Sequence, residues 1–324
     1  MIGLFYGTRP EYIKLLPVLC ALDKREVDYQ LYQVKQHTDL IDGCIFDVVI
    51  DIPSSEGNRL NSICKAVFSY SLESLDYVLV QGDTTTATAV AMSAFHQNIP
   101  VMHLEAGMRT YDKQNPYPEE VNRRIISSIA SVHYCPTARE EYFLKKEGFT
   151  DDILVTGNTV IDNLQGMEAT DSNTVLVTLH RRENHERMGD WFDAIESLAK
   201  DNPEYEFLFP MHPNPNVQKH KGKLSKVKVI DPLLYYDMKE RIASCAAIIT
   251  DSGGIQEEAS FFQKHCFVCR AKTERPCRGS YLCPTPEWLL HGFDLSKKVS
   301  DEETPFGDGN AGERIAEDIL ERVC

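Results

Sequence analysis

The sequence predicts an α/β protein built from two Rossmann-like, doubly wound domains. Three observations lead there. Short apolar runs alternate with helix-forming segments along nearly the whole chain, the period of a parallel sheet with crossover helices. A polar stretch, "QGMEATDSN" from Gln165 to Asn173, interrupts that alternation, which then resumes. Several apolar runs also end in turns that carry glycine or charge, where a parallel sheet delivers functional groups. The expected layout is a first domain over 1–165, a second domain over 174–305, and a closing helix over 308–324, with the functional site in the interdomain cleft.

Taken in order, "IGLFY" is a strand running through "GTRP" into the helix "EYIKLLPVLCAL". Pro10 suits the first turn of that helix because its missing N–H has no partner to lose there. "DYVLVQGDTTTATAVAMSAF" and "IPVMHLEAG" continue the alternation, followed by "SVHYCPT" with "AREEYFLKKEG" behind it. After the polar stretch come "TVLVTLH", "WFDAIESLAK", "YEFLFPMH", "KVKVIDP", "YYDMKERIASC", "AAIITDSGG", "IQEEASFFQ" and "HCFVCR". In the tail "AGERIAEDILERVC", apolar Ile315, Ile319 and Val323 recur at helical spacing.

Composition bounds the function. At 324 residues, 42% hydrophobic and 26% charged, the chain is long enough for two globular domains. No apolar run approaches the ~20 residues of a bilayer span, and the start "MIGLFYGTRPEYIK" lacks the features of a signal peptide. A cytoplasmic protein without membrane attachment is expected. A net charge of −15 argues against nucleic acid as partner and requires an anionic ligand to be held by local cations and backbone N–H groups. Cys266, Cys269, Cys277 and Cys283 fall within eighteen residues. A zinc site would need all four thiolates to converge, whereas positions three apart on a strand face opposite ways, so these cysteines read as core.

Two glycine-bearing turns suggest a phosphate site. "AIITDSGGIQEEA" reads as strand, turn and helix, with Ser252, Gly253 and Gly254 offering backbone N–H groups at the positive end of the helix. "GTRPEYIK" sets Arg9 in a strand-to-helix loop and Lys14 in the next helix. Neither a Walker loop nor GxGxxG is present, which removes support for nucleoside triphosphate hydrolysis and standard dinucleotide binding. Acidic residues hold the other turns: Asp83 ends "YVLVQGD", Glu105 follows "PVMHLE", and Glu119 opens "PEEVNRR". His180 closes "TVLVTLH", and His212 sits at a further strand end in "MHPNPN". Carboxylates gathered beside an anion repel one another, which raises a proton affinity and prepares proton transfer. Neighbours on a helix point about 100° apart, so only one of Glu119 and Glu120 should face the reaction.

With these residues in place, the chain resembles the non-hydrolysing UDP-N-acetylglucosamine 2-epimerase family, whose members adopt the GT-B fold. The resemblance is carried by "GTRPEYIKLLPV", "QGDTTTATA", "HLEAGMRT", "YPEEVNRR", "TGNTVIDNL", "HRREN", "HPNPN", "DSGGIQEEA" and "TERP", in family order. It implies inversion at carbon 2 of UDP-GlcNAc, or of a related UDP-2-acetamido sugar, by elimination of UDP to a 2-acetamidoglucal and re-addition on the other face. It places Asp83, Glu105, Glu119 and His180 at catalytic positions. Arg9, Lys14, Ser252, Gly253, Gly254, Glu258 and Arg275 fall on nucleotide-sugar contacts, Glu258 at the ribose. Gln36, Arg181 and His212 match contacts of a second, activating UDP-GlcNAc. Neither a redox cofactor nor a metal is implied, and pairing into a homodimer is. Three other readings stay open at this point: a hydrolysing epimerase releasing ManNAc and UDP, a GT-B glycosyltransferase, and a nucleotide-sugar-binding regulator without turnover.

Overall fold

The structure, a computed structural model, describes residues 1–35, 44–52, 58–150, 152–277, 279–296, 299 and 304–323. Contacts divide the chain into two compact units, Met1–Asn163 with Phe306–Cys324, and Leu164–Pro305.

The first unit alternates β1 (Ile2–Tyr6), α1 (Arg9–Lys24), β2 (Tyr29–Lys35), β3 (Val48–Asp51), α2 (Arg59–Phe68), β4 (Tyr77–Gln81) and α3 (Thr85–His96). It continues through β5 (Val101–Leu104), α4 (Glu119–Ile129), β6 (Val132–Cys135), α5 (Ala138–Lys146), β7 (Ile153–Val155) and α6 (Thr159–Asp162). The strands form one parallel sheet in the order β3-β2-β1-β4-β5-β6-β7. Strand order therefore reverses between β1 and β4, the position where an open α/β sheet leaves a crevice at its carboxyl edge.

Alternation along the strands serves both faces of this sheet. Ile2, Leu4 and Tyr6 join one apolar cluster with Leu15, Val18 and Leu22 of α1, while Phe5 joins Val78, Val80, Ala87 and Val90 in another. Burial on both faces explains why these strands read as continuous apolar runs. Helix α1 starts where Thr8 accepts the Glu11 N–H and the Glu11 carboxylate accepts from Gly7 N–H at 3.0 Å and the Thr8 hydroxyl at 2.7 Å. The same carboxylate accepts from the Thr84 hydroxyl at 2.6 Å, so the turns after β1 and β4 are tied together. Burial raises the Glu11 proton affinity, and these donors oppose the rise.

The second unit runs β8 (Thr174–Thr178), α7 (Met188–Asp201), β9 (Glu206–Pro210), α8 (Pro215–Gln218), β10 (Lys228–Ile230), α9 (Tyr235–Ser244) and β11 (Ala247–Thr250). It closes with α10 (Gly253–Phe261), β12 (His265–Val268), β13 (Ser280–Leu282) and α11 (Pro286–Gly292). Its parallel sheet has the order β10-β9-β8-β11-β12-β13. Val175, Val177, Phe207, Phe209, Ile249 and Phe267 pack against Trp191, Phe192 and Ile195 of α7. Residues 165–173, expected to lie between domains, fall inside this unit. Thr170 N–H donates to Ala243 O at 3.0 Å and Lys264 Nζ to Thr170 O at 2.7 Å, which fastens the stretch to α9 and to the turn before β12.

The chain then rejoins the first unit as α12 (Ala311–Val323), which packs on α1 and buries Ile315 and Ile319. No helix among the described residues is long and apolar enough to cross a membrane.

Candidate active site

In the first unit the carboxyl edge of the sheet collects three acidic residues. Glu105 follows β5 directly. Its backbone sits at φ +66°, a left-handed conformation uncommon for a residue with a side chain, and its carboxylate is held from three directions. Lys14 Nζ from α1 lies 2.6 Å from Oε2, the Gln81 amide at the end of β4 donates to the same oxygen, and Asn158 Nδ2 lies 3.3 Å from Oε1. Strain at a buried, heavily bonded carboxylate is a mark of a working position.

Asp83 lies two residues beyond β4. Arg123 of α4 donates Nε to its Oδ2 at 2.7 Å, and Asn122 Nδ2 donates to its carbonyl at 2.8 Å, so the Asp83 turn rests on the first turns of α4. A Cβ placed on Gly82 would lie 3.6 Å from Glu105 Oε2, which sets the Asp83 turn beside Glu105. Glu119 is the first residue of α4 and is half-buried, while Glu120 is fully buried. The Glu120 carboxylate accepts from Thr110 N–H at 2.9 Å, Tyr111 N–H at 3.0 Å and Arg123 Nη1 at 3.3 Å. Glu120 thus fixes a loop, and Glu119 stands beside it at the first position of the helix. Arg9 is half-exposed at the start of α1 beside the Cys44 thiol. Lys14, expected among nucleotide contacts, is engaged with Glu105.

In the second unit His180, Arg181 and Asn184 surround one buried carboxylate. Asp251, at the end of β11, is 0% exposed. It accepts His180 N–H at 3.0 Å, Arg181 N–H at 2.8 Å and Asn184 Nδ2 at 3.0 Å, and its Oδ1 lies 3.4 Å from His180 Nδ1. The His180 ring stacks on His212, centroids 5.4 Å apart. Burial, and then the neighbouring His180, lower the proton affinity of His212. Its Nδ1 accepts Asn214 N–H at 3.1 Å, which leaves Nε2 to carry the proton of the neutral ring.

Next to Asp251, Ser252 stands at the N-cap position of α10 without a side-chain capping bond, and its N–H donates to the Thr250 hydroxyl at 2.9 Å. Gly253 has no room for a side chain, because a Cβ there would meet Arg275 Nη1 at 2.6 Å. Arg275 is buried over that turn, donating Nε to Glu257 Oε1 at 2.8 Å and Nη1 to Glu274. Gly254 has open space beyond its Cα, so its backbone can approach a ligand. The N-terminus of α10 carries no acidic residue in its first turn, the arrangement an anion favours. One face further along α10, Glu258 is buried beside Tyr235 of α9. Burial first, and then that carboxylate, push the Tyr235 phenol well up, and Lys239 Nζ lies 5.0 Å over the Tyr235 ring.

Gln36 lies outside the described residues. Arg181 is half-buried at the turn that Asp251 holds, alongside His180 and His212. Cys266, Cys269 and Cys283 are buried, Cys269 and Cys283 within the apolar cluster of the second unit, and burial pushes all three thiols up. Cys277 is half-buried, with Sγ 3.7 Å from Gln256 O. Residues that sequence reasoning did not single out are Gln81, Asn158, Arg123 and Asp251. Asn158 stands in "TGNTVIDNL" and Asp251 in "DSGG", so position within a motif was the available signal.

The family model for UDP-N-acetylglucosamine 2-epimerase matches residues 55–320. The chain is similar to the UDP-N-acetylglucosamine 2-epimerase of Campylobacter jejuni, 35% identical over 366 residues, covering 96% of this chain and 94% of that protein. It is 36% identical over 361 residues to the Bacillus subtilis protein of the same name, covering 97% and 93%. Among solved structures, the UDP-GlcNAc 2-epimerase from Neisseria meningitidis bound to UDP-GlcNAc superposes with a TM-score of 0.90 at 32% identity over 99% of each chain. The Methanocaldococcus jannaschii enzyme in complex with UDP-GlcNAc and UDP gives 0.84 at 28% identity, again over 99% of each. These likenesses agree with an α/β protein of two Rossmann-like domains, the GT-B fold. Matched by the family model over most of its length and by relatives from end to end, the chain belongs to the UDP-N-acetylglucosamine 2-epimerase family.

Proposed function

We propose that the protein is a non-hydrolysing UDP-GlcNAc 2-epimerase that interconverts UDP-GlcNAc and UDP-ManNAc, working in the cytoplasm as a homodimer. The observation that carries this reading is Glu105. It is a buried carboxylate in a strained backbone conformation, clamped by Lys14, Gln81 and Asn158 at the carboxyl edge of the sheet, one strand beyond the point where strand order reverses, with Asp83 on the adjoining turn. Such a group is held for a geometric task, and removal of a carbon-bound proton requires a fixed base.

In the proposed reaction the substrate is a single nucleotide sugar. The diphosphate is received by the N-terminus of α10, through Ser252, Gly253 and Gly254, with Arg275 over that turn. Arg9 and Lys14 are further contacts of the nucleotide sugar, and Glu258 takes the ribose. A carboxylate of the first unit removes the proton from carbon 2 while the bond between carbon 1 and the UDP oxygen breaks. The electron pair becomes the double bond of 2-acetamidoglucal, and UDP leaves as an anion stabilised by His180 and the helix N-terminus. A second acidic residue of the Asp83, Glu105 and Glu119 set then protonates carbon 2 from the opposite face as UDP adds back to carbon 1. Gln36, Arg181 and His212 are proposed contacts for an activating second UDP-GlcNAc.

The test is incubation of UDP-GlcNAc in deuterated water, followed by proton and phosphorus NMR. Deuterium at carbon 2 with UDP still attached is the expected result. Free ManNAc with UDP would replace this reading with hydrolysis, and binding without exchange would replace it with a regulator. Glu105→Gln is expected to bind UDP and lose exchange.

A further inference from the structure

Asn158 is bound on three sides. Its backbone N–H donates to Phe306 O at 2.7 Å, where the chain re-enters the first unit. Its side-chain oxygen accepts Val160 N–H at 3.3 Å and so caps α6. That backbone donor fixes which end of the amide faces which way, leaving Nδ2 toward Glu105 Oε1 at 3.3 Å. Asn158 is 3% exposed, and neither α6 nor the returning segment is part of the proposed chemistry.

The surroundings are built to hold this residue in place. Gly157 sits at φ +91°, and a Cβ there would lie 3.2 Å from Phe306 O, so the two segments meet backbone to backbone. Arg314 Nη1 donates to Thr156 O at 3.0 Å, and the Asp162 carboxylate accepts Ala311 N–H at 3.1 Å and Gly312 N–H at 2.6 Å. Segment 156–162 is thus fastened to 306–314 before, at and after Asn158. A cap alone would need none of this, since Ser or Thr fills the same role. The amide is the group that reaches Glu105.

We infer that Asn158 is a positioning residue for Glu105, held in register by the returning C-terminal segment through Phe306. It keeps Oε1 from rotating while Lys14 and Gln81 hold Oε2, so the lone pair used for proton transfer points one way. The inference rests on the reading that Glu105 transfers a proton.

Asn158→Ser separates the two duties, because serine caps α6 and lacks the amide donor. Its kcat for carbon 2 exchange is expected to fall ~10- to ~100-fold, the scale of a misplaced reacting group, with KM, UDP affinity and melting temperature close to the parent. Asn158→Asp also keeps the cap but sets a second carboxylate against Oε1. The acid limb of its kcat profile is expected to move to higher pH, because like charge favours the protonated form. Asn158→Ser with unchanged kcat, alongside a Glu105→Gln that has lost exchange, overturns the inference and leaves the role of Glu105 standing. Exchange persisting in Glu105→Gln overturns both. If Asn158→Ser fails to fold, Asn158→Asp decides: an unmoved pH profile also overturns the inference.

Discussion

Lys14 Nζ and Glu105 Oε2 lie 2.6 Å apart, with the two side chains 12% and 5% exposed. An ion pair so far from water is sensitive to loss of one partner, because the charge left behind keeps its desolvation cost without its Coulombic gain. Lys14→Met is expected to destabilise the protein by about 3 kcal/mol and to shift the acid limb of activity toward neutral pH. Adding Glu105→Gln to Lys14→Met should restore most of the lost stability but no activity. Thermal unfolding of the four members of this cycle checks it; equal and additive losses would show that the pair is not coupled.

Asp251 carries the corresponding burden in the second unit. Its carboxylate accepts three N–H groups from the segment 180–184 and adjoins His180 Nδ1, with no exposed surface. Asp251→Asn turns one acceptor oxygen into an NH2 facing donors, which is expected to cost about 2 kcal/mol and to lower kcat more than His180→Asn does. The larger loss follows because Asp251 sets the His180 turn and also precedes Ser252 at the start of α10. Comparison of kcat, KM and melting temperature across the two variants tests the order.

Much of the fold was legible because strands buried on both faces are continuous apolar runs, as in "YVLVQ" and "AIIT". Short outer strands such as Val48–Asp51, Ile153–Val155 and Ser280–Leu282 escaped that reading: three or four residues with partial exposure carry little pattern. At the site, Asp83, Glu105 and His180 were visible as ionisable residues placed at the ends of apolar runs. Their partners were not. Gln81 and Asn158 are neutral amides with no charge signature, and Asp251 reads as an ordinary turn residue in "DSGG". Nothing local links Lys14 to a carboxylate 91 positions away; parallel pairing of β1 with β4 and β4 with β5 brings them together.

His103 and His133 face each other in register on β5 and β6. Burial pushes both imidazoles down from 6.5 to about 4, with Arg109 adding to the effect at each, while the Gly82 carbonyl and the Asp83 and Asp152 carboxylates oppose it. Folded rings stay neutral where unfolded ones take up protons, so the unfolded chain binds more protons between pH 6.5 and 4. Stability should therefore be full above pH 6.5, fall as pH drops, and level off below about pH 4, with each ring contributing up to roughly 3 kcal/mol by linkage. His103→Gln, whose amide can still donate to Gly82 O, should make that slope shallower. An unchanged slope in denaturation curves between pH 7 and 4 would place the acid sensitivity elsewhere.

Gly253 and Gly254 adjoin each other at the start of α10, yet alanine should affect them in opposite ways. A Cβ at Gly253 would press on Arg275 Nη1 at 2.6 Å, and Arg275 is not free to retreat, being held by Glu257 and Glu274. Gly253→Ala is thus expected to lower the melting temperature and weaken UDP binding together. At Gly254 a Cβ meets nothing within 4 Å, and alanine favours the helix by about 1 kcal/mol over glycine. Gly254→Ala should hold or raise the melting temperature. If the diphosphate rests on this helix N-terminus, the same methyl occupies the space its oxygens need, and UDP affinity should fall by ~10-fold or more, the equivalent of one lost close contact. Calorimetric titration with UDP beside thermal unfolding separates the two effects. A Gly254→Ala protein that is as stable as the parent and binds UDP equally well would move the phosphate site away from α10, since no other change in that variant could restore the lost approach.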